Sequence, residues 1–250
     1  MMVLTVAARE LRGLFLSPLA WSILAVVEFI LAYMFLSQVD LYISVQGQLL
    51  AAGSAPGVTA AVVAPMLGNA AIVLLLVVPL LTMRLISEER RAQTLPLLFS
   101  APLSMTEIVL GKFLGVMGFL VIMVVLILLM PLSLLVGVTL DLGMLAAGAL
   151  GLLLLVACFA ALGLFVSTLT AQPAVAAIAT FGALLLLWIL DIAGNAAGGD
   201  SLLSYLSMLR HYESLLKGVF DSSDVIYYLL FVIFFLVLSI RRLDAERLQH

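Results

Sequence analysis

What this chain of 250 residues lacks narrows its character before any motif is read. Charge is scarce: Asp, Glu, Lys and Arg together make up 10% of the residues, against about 25% in an ordinary soluble domain. With 65% of the residues hydrophobic, too little polar surface remains to cover a water-soluble globule, so the solvent is mostly lipid. The single cysteine, Cys158, excludes an intrachain disulfide and reads as a small apolar packing residue. The two histidines, His211 and His250, fall outside the long apolar runs. That excludes an intramembrane Ser-His pair and a His-Glu-x-x-His zinc site. A nucleotide-binding P-loop is missing as well, because Gly111-Lys112 is followed by Phe113 and Thr106 stands where the first glycine belongs. No internal repeat is visible. Met1–Phe15 carries its charges within the segment rather than ahead of an apolar run, unlike a cleavable signal.

What the chain does have is long apolar runs. A helix needs about 20 predominantly apolar residues to cross roughly 30 Å of hydrocarbon. Six segments qualify: about Pro18–Ser37, Ala60–Met83, Ile108–Leu135, Leu142–Leu169, Pro173–Asp191 and Val225–Ile240. The expectation is one all-α membrane domain over residues 1–250, with six transmembrane helices. An even number of spans puts both termini on one side, with the loops after spans two and four. That side collects Arg9, Arg12, Arg84, Arg90, Arg91, Lys112, Arg241, Arg242 and Arg247, leaving Arg210 and Lys217 opposite. The positive-inside rule then makes both termini cytoplasmic.

Val3, Leu4, Ala7, Leu11, Leu14 and Phe15 recur at helical spacing, with Thr5, Arg9 and Arg12 on the other side, which predicts an amphipathic helix in the membrane interface. Ser17-Pro18 supplies a cap and a first-turn proline for span one. The stretch Gln38 to Thr59 reads as a polar, irregular outer loop. Pro65, Pro79 and Pro131 should bend their helices, and Ser104-x-x-Glu107 reads as a capping box opening span three. The turn after span four, Thr168 to Pro173, is short enough to make spans four and five antiparallel neighbours. Between Gly194 and Asp224, Leu202, Leu206, Leu209, Leu216 and Phe220 follow a rough helical spacing, with Arg210, His211, Glu213 and Lys217 between them. An amphipathic or re-entrant outer helix is expected there.

Two features stand out for function. Arg84-Leu-Ile-Ser-Glu88-Glu89-Arg90-Arg91 is a charged island between apolar runs, and Leu95, Leu97 and Leu98 follow it. A positive anchor with neutralising acids accounts for its arginines. A docking element for a cytoplasmic partner accounts also for the Glu-Glu pair and the structured stretch behind it. Span two is expected to run on as helix through this island, break around Pro96–Pro102 and restart at Ser104. Glu28 is the one ionisable residue near the middle of a span, where keeping it ionised would cost roughly 3 kcal/mol. It reads either as a proton or substrate-path residue or as a neutral carboxyl at a helix or subunit interface.

The run from Glu88-Glu89-Arg90-Arg91 through Thr94-Leu95-Pro-Leu97-Leu98 and Ser100-Ala101-Pro102 to Gly111-Lys112 resembles the signature of type-2 ABC exporter permeases. The chain has Gln93 where that signature usually has glycine, and Pro96 where it usually has an acid. Three further stretches are similar to a gliding-motility-associated (GldF-like) subgroup: Arg9-Glu10-Leu through Ser17-Pro18; Ser167-Thr-Leu-Thr-Ala-Gln172; and His211-Tyr-Glu213-Ser214 through Lys217-Gly218-Val219, Asp221 and Asp224 to Tyr227. The resemblance implies a permease with a cytoplasmic coupling region between spans two and three. ATPase docking would fall to Arg84, Glu88, Glu89, Arg90, Arg91, Leu95, Leu97 and Leu98, and an outer-loop motif to His211, Glu213, Asp221 and Asp224. This chain would bind no cofactor and have no catalytic or metal site of its own, with ATP and Mg held on a partner ATPase. Other implied partners are a second permease copy in a homodimer or heterodimer, membrane lipid and an extracytoplasmic accessory protein, but no nucleic acid. The implied setting is a bacterial inner membrane. The implied output is export of a lipid-linked or polysaccharide-type cargo or, alternatively, transmission of ATP-driven motion to the accessory protein.

Overall fold

A computed structural model of the chain describes residues 2–51, 57–94, 103–196 and 207–247. Among these the architecture is wholly helical: α1 Met2–Leu16, α2 Pro18–Ala51, α3 Ala64–Thr82, α4 Ser87–Arg91, α5 Met105–Leu132, α6 Leu142–Leu169, α7 Pro173–Ala196, α8 Met208–Leu216 and α9 Ser222–Arg247. A π-helical turn, Thr59–Val63, leads into α3, and a 3-10 turn, Ser133–Val136, follows α5. Five helical stretches are long and apolar enough to cross a membrane, and the apolar part of α7 runs from Pro173 to Ile189.

α6 is the central helix, touching α3, α5, α7, α8 and α9. Apolar side chains gain little by leaving lipid for a protein interior, so helices in a membrane associate through close packing, which small residues permit. α1 shows this against α5. A methyl group built on Gly111 would come within 2.6 Å of Val6 Cβ, and one on Gly115 within 2.6 Å of Glu10 Cβ and 3.0 Å of the Ala7 carbonyl oxygen. Phe15 then closes the contact on Phe119, with ring centroids 5.3 Å apart. The N-terminal amphipathic helix is thus present, with one face set into the glycine groove of α5. Leu4 and Leu16 point outward, although Leu4 belongs to the apolar set read from the sequence.

Three expectations are corrected. The irregular loop from Gln38 is instead helix as far as Ala51, so α2 runs well beyond Ser37. Gln38, Asp40, Ser44 and Gln46 are polar, but none of them breaks a helix, and no proline intervenes before Pro56. Span two does not run straight into the charged island. The hydroxyl of Thr82 donates to the Val78 carbonyl at 3.0 Å and that of Ser87 to the Met83 carbonyl. Ile86 leaves helical geometry at φ −122°, and α4 starts afresh after one turn. α8 buries Met208, His211, Tyr212 and Leu215 rather than the predicted leucine stripe: Leu209 and Leu216 are half-buried and Phe220 is exposed. Leu202 and Leu206 lie outside the described residues. The capping box opening α5 is as read: the Glu107 amide donates to Ser104 Oγ at 3.2 Å and the Ser104 amide to Glu107 Oε2 at 3.0 Å.

Candidate functional site

α4 is five residues long, and its charges follow the helix dipole, Glu88 and Glu89 in the first turn and Arg90 and Arg91 in the last. Its end is closed by a Schellman motif: the Thr94 amide donates to the Glu89 carbonyl at 3.0 Å and the Gln93 amide to the Arg90 carbonyl at 3.2 Å. Gln93 carries the motif's left-handed residue, with φ 54°. A glycine adopts this conformation without Cβ strain, so the resembling signature and this backbone agree on the turn.

The island divides by direction. Glu89 and Arg90 turn inward, with Glu89 Oε1 2.8 Å from Lys112 Nζ on α5 and Arg90 Nη2 on Glu246 Oε2 of α9. Lys112 is 3% exposed and also lies 3.5 Å from Glu10 Oε2 of α1. Arg84, Glu88 and Arg91 are exposed and face a cleft of about 590 Å³ closed on its far side by Pro173 and Ala174 of α7. One short helix is therefore bolted by two ion pairs to α5 and α9, with α1 completing the lysine's surroundings, while presenting Glu88 and Arg91 outward beside Arg84 of the preceding turn. Leu95, Leu97 and Leu98 lie outside the described residues.

Sequence reading did not single out Lys112, Glu10 or Glu246 for this role. For Lys112 a signal was there, a lone lysine two turns into an apolar helix. For the acids there was none, since their separation along the chain hides the pairing.

The outer-loop motif is split in the same way. His211 Nδ1 and Asp224 Oδ1 meet at 2.6 Å, both side chains 8% exposed, and His211 stacks on Tyr227 with ring centroids 4.2 Å apart. Tyr212, which the sequence reading passed over, donates its hydroxyl to the Leu67 carbonyl of α3 at 2.9 Å. Burial pushes its phenol well above the usual range. Glu213 is exposed and 3.7 Å from Lys217 one turn on. Asp221 is exposed too, its carboxyl held below the usual range by the Ser223 amide, then the Ser223 hydroxyl, with His211 adding to this. α8 ends in a second Schellman motif, with Gly218 at φ 77°. Its Leu215 seats where Gly151 leaves room on α6, with a built Cβ only 3.0 Å away. Glu28 is half-buried on α2, and its Oε1 is buried with no hydrogen-bond partner among the described residues.

A bundle of helices of membrane-spanning length, with a short charged helix tied by ion pairs to two of them, is the architecture of a multi-pass membrane protein. The profile of the family described as ABC-2 family transporter protein matches residues 4–248. The chain belongs to that family, and membership implies a membrane component that works with an ABC ATPase subunit. A comparison with curated proteins gives no match.

Proposed function

We propose that this chain is the permease subunit of an ATP-driven exporter in a bacterial inner membrane and that α4 is its ATPase-docking handle. The observation that carries the reading is the division of the island. Inward, Glu89 and Arg90 fix α4 to α5 and α9; outward, Arg84, Glu88 and Arg91 stand exposed beside a cleft. A helix pushed by a partner moves the bundle only if it is held by the bundle, and these ion pairs supply that hold. Leu95, Leu97 and Leu98 would complete the contact as apolar anchors. ATP and Mg belong on the partner, whose closure would displace α4 and, through Lys112 and Glu246, shift α5 and α9.

Six crossings, with α7 as the fifth and both termini cytoplasmic, are part of this reading. The ion pairs joining Glu10 of α1, α4, Lys112 and Glu246 of α9 support placing those elements at one end of the bundle. A second permease copy is expected beside the exposed apolar face of α2, where Phe29, Tyr33 and Leu36 project. The unpartnered Oε1 of Glu28 supports the interface reading of that residue. The GldF-like subgroup and a lipid-linked or polysaccharide-type cargo belong to the same proposal.

The test is purification of the tagged chain from its native host in mild detergent, with every stoichiometric partner identified by mass spectrometry. A co-purifying ABC ATPase is expected. A complex held intact by cross-linking and yet free of any nucleotide-binding subunit would contradict the reading.

A further inference from the structure

Arg9 of α1 and Arg84 of the turn after α3 line one cavity of about 340 Å³ between α1, α2 and α3. Leu14, Leu19, Leu81 and Leu85 are among the apolar residues of its walls. The volume is in the range of a small-ligand pocket, roughly 300–1,000 Å³. Two acids also line it, and their states differ. Glu10 is turned to Lys112 at 3.5 Å, a lysine it shares with Glu89. Glu88 is exposed and, like Arg9 and Arg84, makes no ion pair within 4.0 Å among the described residues. Leu80, in the lining, is 37% exposed, and Trp21, next along α2 from the lining residue Ala20, is 55% exposed, its indole donating to the Phe15 carbonyl at 2.7 Å. The cavity thus joins two guanidinium groups, without an ion pair among the described residues, to apolar walls at the charged end of the bundle, with a tryptophan of the kind found at membrane interfaces one residue along α2 from its lining.

We propose that this cavity holds the phosphate of an anionic membrane phospholipid, with Arg9 and Arg84 as its two donors and the acyl chains lying outside along α2 and the Leu80 face. Guanidinium groups are the side chains best shaped for phosphate oxygens. The apolar walls give the chains a place that free phosphate would leave bare. A basic residue near an anionic lipid surface is worth about 1 kcal/mol, so each arginine accounts for roughly fivefold in occupancy and the pair for about twenty-five-fold. Glu88 opposes the same phosphate. Arg84 and Glu88 also belong to the face assigned to ATPase docking, so the site is tested with no ATPase present.

The chain is purified in neutral detergent, supplied with equal amounts of phosphatidylglycerol and phosphatidylcholine, and its retained lipids are counted by native mass spectrometry. Selective retention of phosphatidylglycerol is expected, falling at least tenfold in Arg9→Gln/Arg84→Gln and rising in Glu88→Gln. Inorganic phosphate at millimolar concentration should not displace the lipid. Equal retention of the two lipids, an unchanged double variant, or displacement by inorganic phosphate would each overturn the proposal. Should the double variant fail to fold, the unaltered cavity answers the question in a Trp188→Phe background. Brominated phosphatidylglycerol should quench Trp21 more than brominated phosphatidylcholine at the same mole fraction, and equal quenching overturns the site.

Discussion

Lys112 Nζ lies 2.8 Å from Glu89 Oε1, joining the long apolar helix α5 to the five-residue helix α4. The lysine side chain is 4% exposed, while Glu89 and the second acid, Glu10, are 21% and 22% exposed. A charge so buried is stable only with partners, and here the partners come from two separate elements. Lys112→Met should therefore destabilise the fold by roughly 3 kcal/mol, the low end for breaking a buried pair, because it leaves two acids without their counter-charge. Glu89→Gln should cost less, since Glu10 still faces the lysine. Combining the two should cost less than the sum of the singles. Unfolding in detergent, followed by circular dichroism, measures all three. Strict additivity would mean that the pair carries no coupling.

Gly115 allows the backbone of α1 to approach α5. A Cβ there would sit 2.6 Å from Glu10 Cβ and 3.0 Å from the Ala7 carbonyl oxygen, which cannot move away without displacing the helix. Gly115→Ala should destabilise by about 1–3 kcal/mol, in the manner of an overpacked core. It should also raise hydrogen exchange in α1. Gly13→Ala, where a Cβ meets nothing within 4 Å, is the matched control and should be near neutral.

Gln93 pays for a left-handed backbone at φ 54° without being glycine. The conformation costs a side-chain-bearing residue about 1–2 kcal/mol, offset in part by the greater chain entropy that glycine loses on folding. Gln93→Gly should be neutral to stabilising by up to about 1 kcal/mol. A β-branched substitution, Gln93→Val, should destabilise. Thermal midpoints of the two variants give the sign directly.

The capping box at Ser104 and Glu107, the Pro18 start and the short turn before Pro173 are local signals, fixed within a few residues, and each is where it was expected. The continuation of α2 past Ser37 is hidden in the sequence because Gln38, Asp40, Ser44 and Gln46 have the polarity of a loop, whereas a helix ends at breakers rather than at polar residues. His211 was grouped with the exposed charges. Its burial depends on Asp224, 13 residues away, and on the Tyr227 ring, neither of which periodicity can pair with it. In the island, the sequence sets off Arg84–Arg91 by its charges alone. It could not show that Glu89 and Arg90 face inward, because Lys112 and Glu246 come from distant helices.

The docking of α8 rests on few polar contacts. Tyr212→Phe removes the hydroxyl bond to the Leu67 carbonyl at 2.9 Å and should cost about 1 kcal/mol. Asp224→Asn weakens the 2.6 Å contact with His211. Both variants should speed amide exchange in Met208–Leu216 and leave the middle of α6 unchanged. Uniform loss of protection across the bundle would instead make α8 part of the core rather than a separately docked element.

The most direct test of the account is a charge reversal split between the two faces of α4, read by pull-down of the co-purified ATPase. Reversing the outward charges, as Arg84→Glu/Glu88→Lys/Arg91→Glu, should abolish association while leaving the unfolding midpoint of the permease nearly unchanged. Disrupting the inward hold, as Lys112→Met, should lower that midpoint. Association that survives reversal of all three outward charges would contradict α4 as the docking handle.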